Sequence, residues 1–292
     1  MQEKRLKHYP FWVYVLLFLV SQLVAMVIPF LLPYLPAGQA LTQDAVLAVT
    51  LLIANLLAIG LFFCFRPGCL TLSSTLSGLC GKNALRTALM LLLAVPTILM
   101  VNLAQEMLLP DIPDLVGEET FELIMYHPLG LLTIVILGPV SEELLFRGGV
   151  QTALEKKNSS LLTPHSSFIS PQSSFITPHS SFLTPQSSFL NRHSPILISA
   201  LIFAIIHLNP AQMPAAFILG LLLGYAYGWT GSLIAPVCIH ILNNGSACLM
   251  AFGSPEEDSF VSLLGGNEVA WMTMGLCVVF FLFVVWLMRR FR

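Results

Sequence analysis

The chain has 292 residues, of which 56% are hydrophobic and only 10% charged, with a mean hydropathy of +0.83. A soluble domain carries about 25% charged residues, so this composition excludes a soluble globular protein and points to a polytopic membrane protein. The net charge of −2, with a few basic residues placed at helix ends, excludes nucleic-acid binding.

Apolar windows of about 20 residues, the length that crosses a hydrocarbon core of roughly 30 Å, fall near 11–35, 45–65, 87–109, 128–150, 195–209, 211–229, 232–252 and 269–288. The expected fold is all-α, a helical bundle with about eight transmembrane helices, or seven if the short fifth stretch does not cross. The first stretch follows a basic start, as a signal peptide would, but it exceeds the 7–15 apolar residues of a cleavable segment. It is expected to be a retained span. The fifth stretch is short, and Asn209-Pro210 breaks it sharply. Spans five and six are therefore expected to turn within the membrane, which non-helical backbone tolerates only when buried in protein.

All 13 Lys and Arg (Lys4, Arg5, Lys7, Arg66, Lys82, Arg86, Arg147, Lys156, Lys157, Arg192, Arg289, Arg290 and Arg292) fall on one side of an eight-span arrangement. The opposite loops hold Asp44, the acidic stretch from Glu106 to Glu122, Glu256-Glu257-Asp258 and Glu268. Basic residues concentrate in cytoplasmic loops, so both termini are expected to be cytoplasmic. The six cysteines show no CxxC spacing and read as small packing residues rather than as a disulfide or metal framework.

Between spans four and five the unit [LI]-[ST]-P-[HQ]-S-S-F repeats four times, from Leu162 to Phe189. A period of seven invites a coiled coil, but a proline in every unit denies a continuous helix. Pro and Ser favour a disordered or extended loop, so residues 158–193 are expected to be a disordered insert that adds nothing to the chemistry. His165 and His179 raise a metal tract as the minor alternative.

Three apolar stretches carry polar groups that lipid disfavours, since an ionisable side chain at mid-membrane costs roughly 2.5–3.5 kcal/mol on insertion scales. The first is Glu142-Glu143-Leu144-Leu145-Phe146-Arg147, one turn after Pro139, whose kink opens room for water. Glu143 and Arg147 are four apart with the acid first, the favourable order for an ion pair on one helix face. Glu142 points about 100° away and meets Phe146 at i+4. An unpaired carboxyl in a low-dielectric setting suits a general base near neutral pH. The residues thus nominate Glu142 as reactive and Glu143 with Arg147 as structural support.

The second group is Phe203-Ala-Ile-Ile-His207, and the third is His240-Ile-Leu-Asn243-Asn244. A lone intramembrane histidine often just bonds a backbone carbonyl, and a His/Asn pair often just joins helices. Together, one carboxylate, two imidazoles and one amide supply a water-activating base and donors for a developing oxyanion. Glu142, His207 and His240 equally fit a metal set. Depth strains the cluster: at about 1.5 Å per residue, Glu142 and His240 lie roughly 9–12 Å from the cytoplasmic end. His207 lies nearer 20 Å if its helix starts at Pro195. A helix starting outside the lipid would remove the discrepancy.

Glu-Glu-x-x-x-Arg, Phe-x-x-x-His and His-x-x-x-Asn, in this order on apolar helices, resemble the type II CAAX prenyl endopeptidases. The bacterial branch of that family is the CPBP (CAAX protease and bacteriocin-processing, or Abi) intramembrane proteases. The resemblance covers about 130–252. It implies peptide-bond hydrolysis in a cavity within the bilayer, with Glu142 and His207 activating water. His240 and Asn244 would bind the oxyanion, and Glu143 with Arg147 would brace the helix. The family leaves two cofactor options, a divalent metal such as zinc or none. Asn244, a poor zinc ligand, favours the oxyanion role.

On this basis residues 1–127 hold the first three helices and an acidic outer loop. Residues 128–252 form a CPBP-like catalytic core interrupted by the 158–193 insert, and 253–292 hold an outer loop and the last helix. The expected protein is a multi-pass endopeptidase of the bacterial cytoplasmic membrane, its partners being the lipid bilayer and a membrane-associated protein or peptide substrate. The alternative is a non-catalytic bacteriocin self-immunity or scaffold protein of the same fold.

Overall fold

In lipid, every backbone N–H and C=O needs a partner within the protein, and this chain satisfies that demand with helices alone among the described residues. The computed structural model describes residues 9–31, 34, 41–115, 117–162, 185–253 and 259–291. Eight principal helices follow one another: α1 (Phe11–Leu31), α2 (Gln43–Phe65), α3 (Gly81–Leu108), α4 (Pro128–Asn158), α5 (Pro185–Ile205), α6 (Met213–Thr230), α7 (Ile234–Gly253) and α8 (Asn267–Arg290). All but α5 are long and apolar enough to cross a membrane, and the apolar part of α5 is the shorter stretch His193–Ile205. The protein is an integral, multi-pass membrane protein, and the fifth helix has the short apolar stretch.

Local sequence explains several helix ends. Gly231 sits at φ 65° after α6, the left-handed position where glycine closes a helix at no steric cost. In α8, Glu268 lies in the first turn and Arg289 and Arg290 in the last, each complementing the helix dipole. Helix α4 is not a plain α-helix. Residues Thr133–Leu137 and Leu144–Gln151 form π turns on either side of Gly138–Glu143. Wide turns of this kind are frequent at functional sites.

Two apolar clusters make the core. One joins α1, α2, α4 and α5 through Tyr14, Phe62, Phe146 and Phe203. The other joins α3, α6, α7 and α8 through Met90, Leu223, Ile239 and Val284. Outward-facing Leu23, Met272, Leu276 and Val279 are more than half exposed, as lipid-facing side chains are. Two close approaches depend on glycine. A Cβ on Gly149 of α4 would stand 2.5 Å from the Tyr14 ring of α1, and one on Gly220 of α6 would stand 3.0 Å from Ala200 of α5.

The basic residues mark one end of the bundle. There Tyr14 donates to the Phe65 carbonyl across α1 and α2 at 3.2 Å, and Arg86 of α3 donates to the Trp229 carbonyl of α6 at 3.4 Å. At the other end, the Glu106 carboxylate accepts from the Ser259 hydroxyl and from the backbone N–H groups of Phe260 and Val261.

Two expectations change. The fifth helix starts at Pro185, not Pro195, which lies inside it. The insert expected at 158–193 is helical at both edges, since the helix after α4's second π turn runs Thr152–Leu162 and α5 contains 185–193. The remainder, 163–184 with His165 and His179, lies outside the described residues. Of the cysteines, only Cys248 and Cys277 are buried, and Cys64, Cys69 and Cys80 are exposed.

The Gly149 contact is testable. Gly149→Ala should destabilise the detergent-solubilised protein by about 1–3 kcal/mol, read as a lower Tm. An unchanged Tm would show that α1 does not pack against α4 as described.

Candidate active site

The three polar stretches meet. Glu142, His207, His240 and Asn244, from α4, the end of α5 and α7, all line one cavity of about 520 Å³. It runs from the middle of the bundle, at Glu142, Phe203 and His240, to the end remote from the basic residues, at Gln105, Phe121 and Gln212.

Beneath it lies the buried charge that organises the site. Glu143 and Arg147 are both fully buried, with Arg147 Nη1 donating to Glu143 Oε1 at 2.9 Å. Arg147 Nη2 also donates to the Gly220 carbonyl at 3.1 Å, so the close packing at Gly220 brings α6 to the guanidinium. Glu143 and Arg147 thus form the i,i+4 ion pair, and Glu143 makes a second contact. The same Oε1 lies 3.0 Å from Nδ1 of the buried His240. A carboxylate can only accept, so Nδ1 carries the hydrogen there. That bond fixes the ring and turns Nε2 towards Glu142, 3.8 Å from its Oε2.

Glu142 itself is the less buried acid, its side chain 22% exposed, and its Oε2 has no hydrogen-bond partner. Glu143 thus has two hydrogen-bond partners through Oε1, whereas Glu142 Oε2 has only the longer approach to His240. Ser141, the preceding residue, donates to Asn55 Oδ1 of α2 at 2.5 Å, and Asn55 in turn donates to the Leu51 carbonyl at 2.9 Å. Asn55 also lines the cavity.

His207 lies in the turn that follows α5 rather than within the helix. Its Nδ1 stands 2.7 Å from the Phe203 carbonyl, the plain structural bond for a lone histidine. A carbonyl accepts only, so Nδ1 donates and Nε2 keeps its lone pair. The helix that precedes His207 begins at Pro185, upstream of the Pro195 start on which the depth estimate rested. Leu208 adopts the left-handed φ of 52°, which costs a non-glycine residue about 1–2 kcal/mol. The next residue, Asn209, holds that break: it is fully buried, donates to Asp114 at 2.8 Å and accepts from Leu115 N–H at 3.1 Å.

Phe203 is the apolar hub. Its ring is fully buried, with Arg147 Cζ 4.6 Å from its centroid and edge contacts to His207 and His240 at 4.9 and 5.7 Å. Asn244 Nδ2 donates to the Ile134 carbonyl of the first π turn at 3.0 Å, and its Oδ1 accepts from Asn243 at 3.1 Å. One amide hydrogen of Asn244 is thus engaged, and the group carries two.

The metal option fares differently. Among the described residues no three His, Cys, Asp or Glu side chains stand together as a ligand set. Glu142, His207 and His240 share the cavity without forming one, so the residues do not fit a bound zinc, and the chemistry below uses side chains and water. Sequence reasoning missed Asn55, Phe203 as a hub, Asn209 as an anchor and the second bond of Glu143. Only Phe203 stood within a quoted motif.

Removing Glu143 leaves Arg147 buried and uncompensated. Glu143→Ala is expected to cost about 3–5 kcal/mol, seen as poor accumulation in the membrane, while Glu143→Ala/Arg147→Met should recover much of it. A single variant as stable as the parent would contradict the buried pair.

Comparison with known proteins gives a consistent result. A family model described as type II CAAX prenyl endopeptidase Rce1-like matches residues 125–246. The membrane-embedded CAAX protease MroQ of Staphylococcus aureus is 37% identical over 59 residues, 20% of this chain and 24% of that protein, so the matched stretch spans about a quarter of that relative. No solved structure matches. The stretch that resembles the Rce1-like type II CAAX prenyl endopeptidase model, residues 125–246, carries Glu142, Glu143, Arg147, His207, His240 and Asn244.

Proposed function

We propose that the protein is an intramembrane endopeptidase that hydrolyses peptide bonds of membrane-associated substrates with a glutamate-activated water. The observation that carries this is the convergence of Glu142, His207, His240 and Asn244 on one cavity, with Glu142 Oε2 unpartnered. Glu142 takes a proton from water, and His207 Nε2 accepts that water's other hydrogen and orients it. The water oxygen attacks the scissile carbonyl carbon. The carbonyl oxygen, as it gains negative charge, receives the remaining amide hydrogen of Asn244, with His240 Nε2 as the neighbouring group. A donor such as the Asn244 amide contributes about 2.7–4 kcal/mol to an acyl-transfer transition state. Collapse of the tetrahedral intermediate breaks the C–N bond, and Glu142 returns its proton to the leaving nitrogen.

Division of the chain supports the same reading. Residues 128–252 would be the catalytic core, with 1–127 and 253–292 as flanking helices and outer loops. The described ends of α4 and α5 that flank residues 163–184 are not among the residues that line the cavity. By the positive-inside rule the basic end is cytoplasmic, in a bacterial cytoplasmic membrane, so the cavity occupies the extracytoplasmic half.

Glu142→Gln and His207→Ala should each abolish cleavage of a membrane substrate while the protein still accumulates. Retained activity in either would sink the catalytic reading and favour a self-immunity or scaffold protein. Sidedness gives a second check. A membrane-impermeant peptide should be cleaved by right-side-out vesicles and spared by inside-out ones, and the reverse pattern would refute the proposed access.

A further inference from the structure

Beyond Glu142 and His240, the largely apolar cavity wall carries four neutral amides towards the acidic end: Asn102 and Gln105 of α3, Gln212 just before α6, and Asn243 of α7. Asn102 and Gln105 are three apart, so they share one helix face. Gln105 Oε1 is buried without a hydrogen-bond partner. A buried acceptor left without a partner is unfavourable, and a ligand N–H would satisfy it. A side-chain amide offers one acceptor and two donors, the complement of a peptide group. Among the described residues that line the cavity, Glu142 is the one acid and none is Lys or Arg. A free terminal carboxylate would enter beside a like charge with no fixed cation to meet it, whereas an internal stretch of chain brings no charge.

We infer that this wall is the substrate subsite, and that it holds an extended internal peptide segment through its backbone, with Gln105 accepting from a substrate N–H. The inference rests on the endopeptidase reading above. The substrate class that follows is an internal segment of a membrane protein or peptide, rather than a chain trimmed at its free C-terminus. Recognition through backbone groups makes the subsite tolerant of side-chain sequence.

The test uses the full chain in vesicles and an internally quenched peptide, prepared with an amidated C-terminus and with a free carboxylate. Ester-for-amide replacements in the peptide each delete one backbone N–H. The amidated peptide should be the better substrate. One ester position should raise KM about tenfold, the value of one lost hydrogen bond, with kcat within about twofold. Gln105→Met should raise KM by a similar factor and lose that ester sensitivity, because the two changes remove the same contact. Preference for the free acid, ester positions without effect, or ester sensitivity unchanged in Gln105→Met would each overturn the subsite. If Gln105→Met fails to fold, the ester series on the parent protein decides alone. Glu142→Gln run beside these separates the two proposals: cleavage that survives it defeats the endopeptidase reading, while cleavage that dies with KM unmoved in Gln105→Met defeats the subsite only.

Discussion

The arrangement of the site depends on one oxygen. Glu143 Oε1 accepts from Arg147 on its own helix and from His240 on α7, and Arg147 reaches on to the Gly220 carbonyl of α6. Burying a carboxylate and a guanidinium costs several kcal/mol per ion, and nothing in the surrounding hydrocarbon offsets that if the partners drift. The charges therefore fix three helices relative to one another, because any other register would leave a buried ion uncompensated. Phe203, stacked under the guanidinium and edged by both imidazoles, adds the fourth. The result is a rigid floor on which Glu142 stands without a partner of its own.

Residues one position apart thus have opposite fates. Glu143 points into the contact between α4, α6 and α7 and is fully buried; Glu142, rotated around the helix, meets the cavity. The π turns on both sides of this segment widen the helix locally, and the first one presents the Ile134 carbonyl to Asn244. A regular helix would leave fewer backbone groups available to orient side chains at this depth.

Much of this could be read from the sequence, because lipid makes polar residues conspicuous. The helical fold, the Glu143–Arg147 pair at i,i+4 and the meeting of three polar stretches all follow from spacing and the cost of burying charge. What escaped had no such signature. The start of α5 at Pro185 was hidden because the preceding prolines argue against helix, and a helix tolerates proline only in its first turn or at a kink. The second bond of Glu143 needs the position of α7, which no local pattern encodes. Asn55 and Asn209 look like ordinary amides until the long-range partners Ser141 and Asp114 are known. For His207, the bond to the Phe203 carbonyl uses Nδ1, which leaves Nε2 for the role proposed above.

The described helix ends that flank residues 163–184 belong to the repeat themselves: Leu162 closes the helix that continues α4, and Pro185 to Phe189 open α5. Glu142 and Phe203, which line the cavity, sit further along the same two helices. A change in the number of repeat units would therefore reach the outer turns of α4 and α5 before it reached the residues that line the cavity.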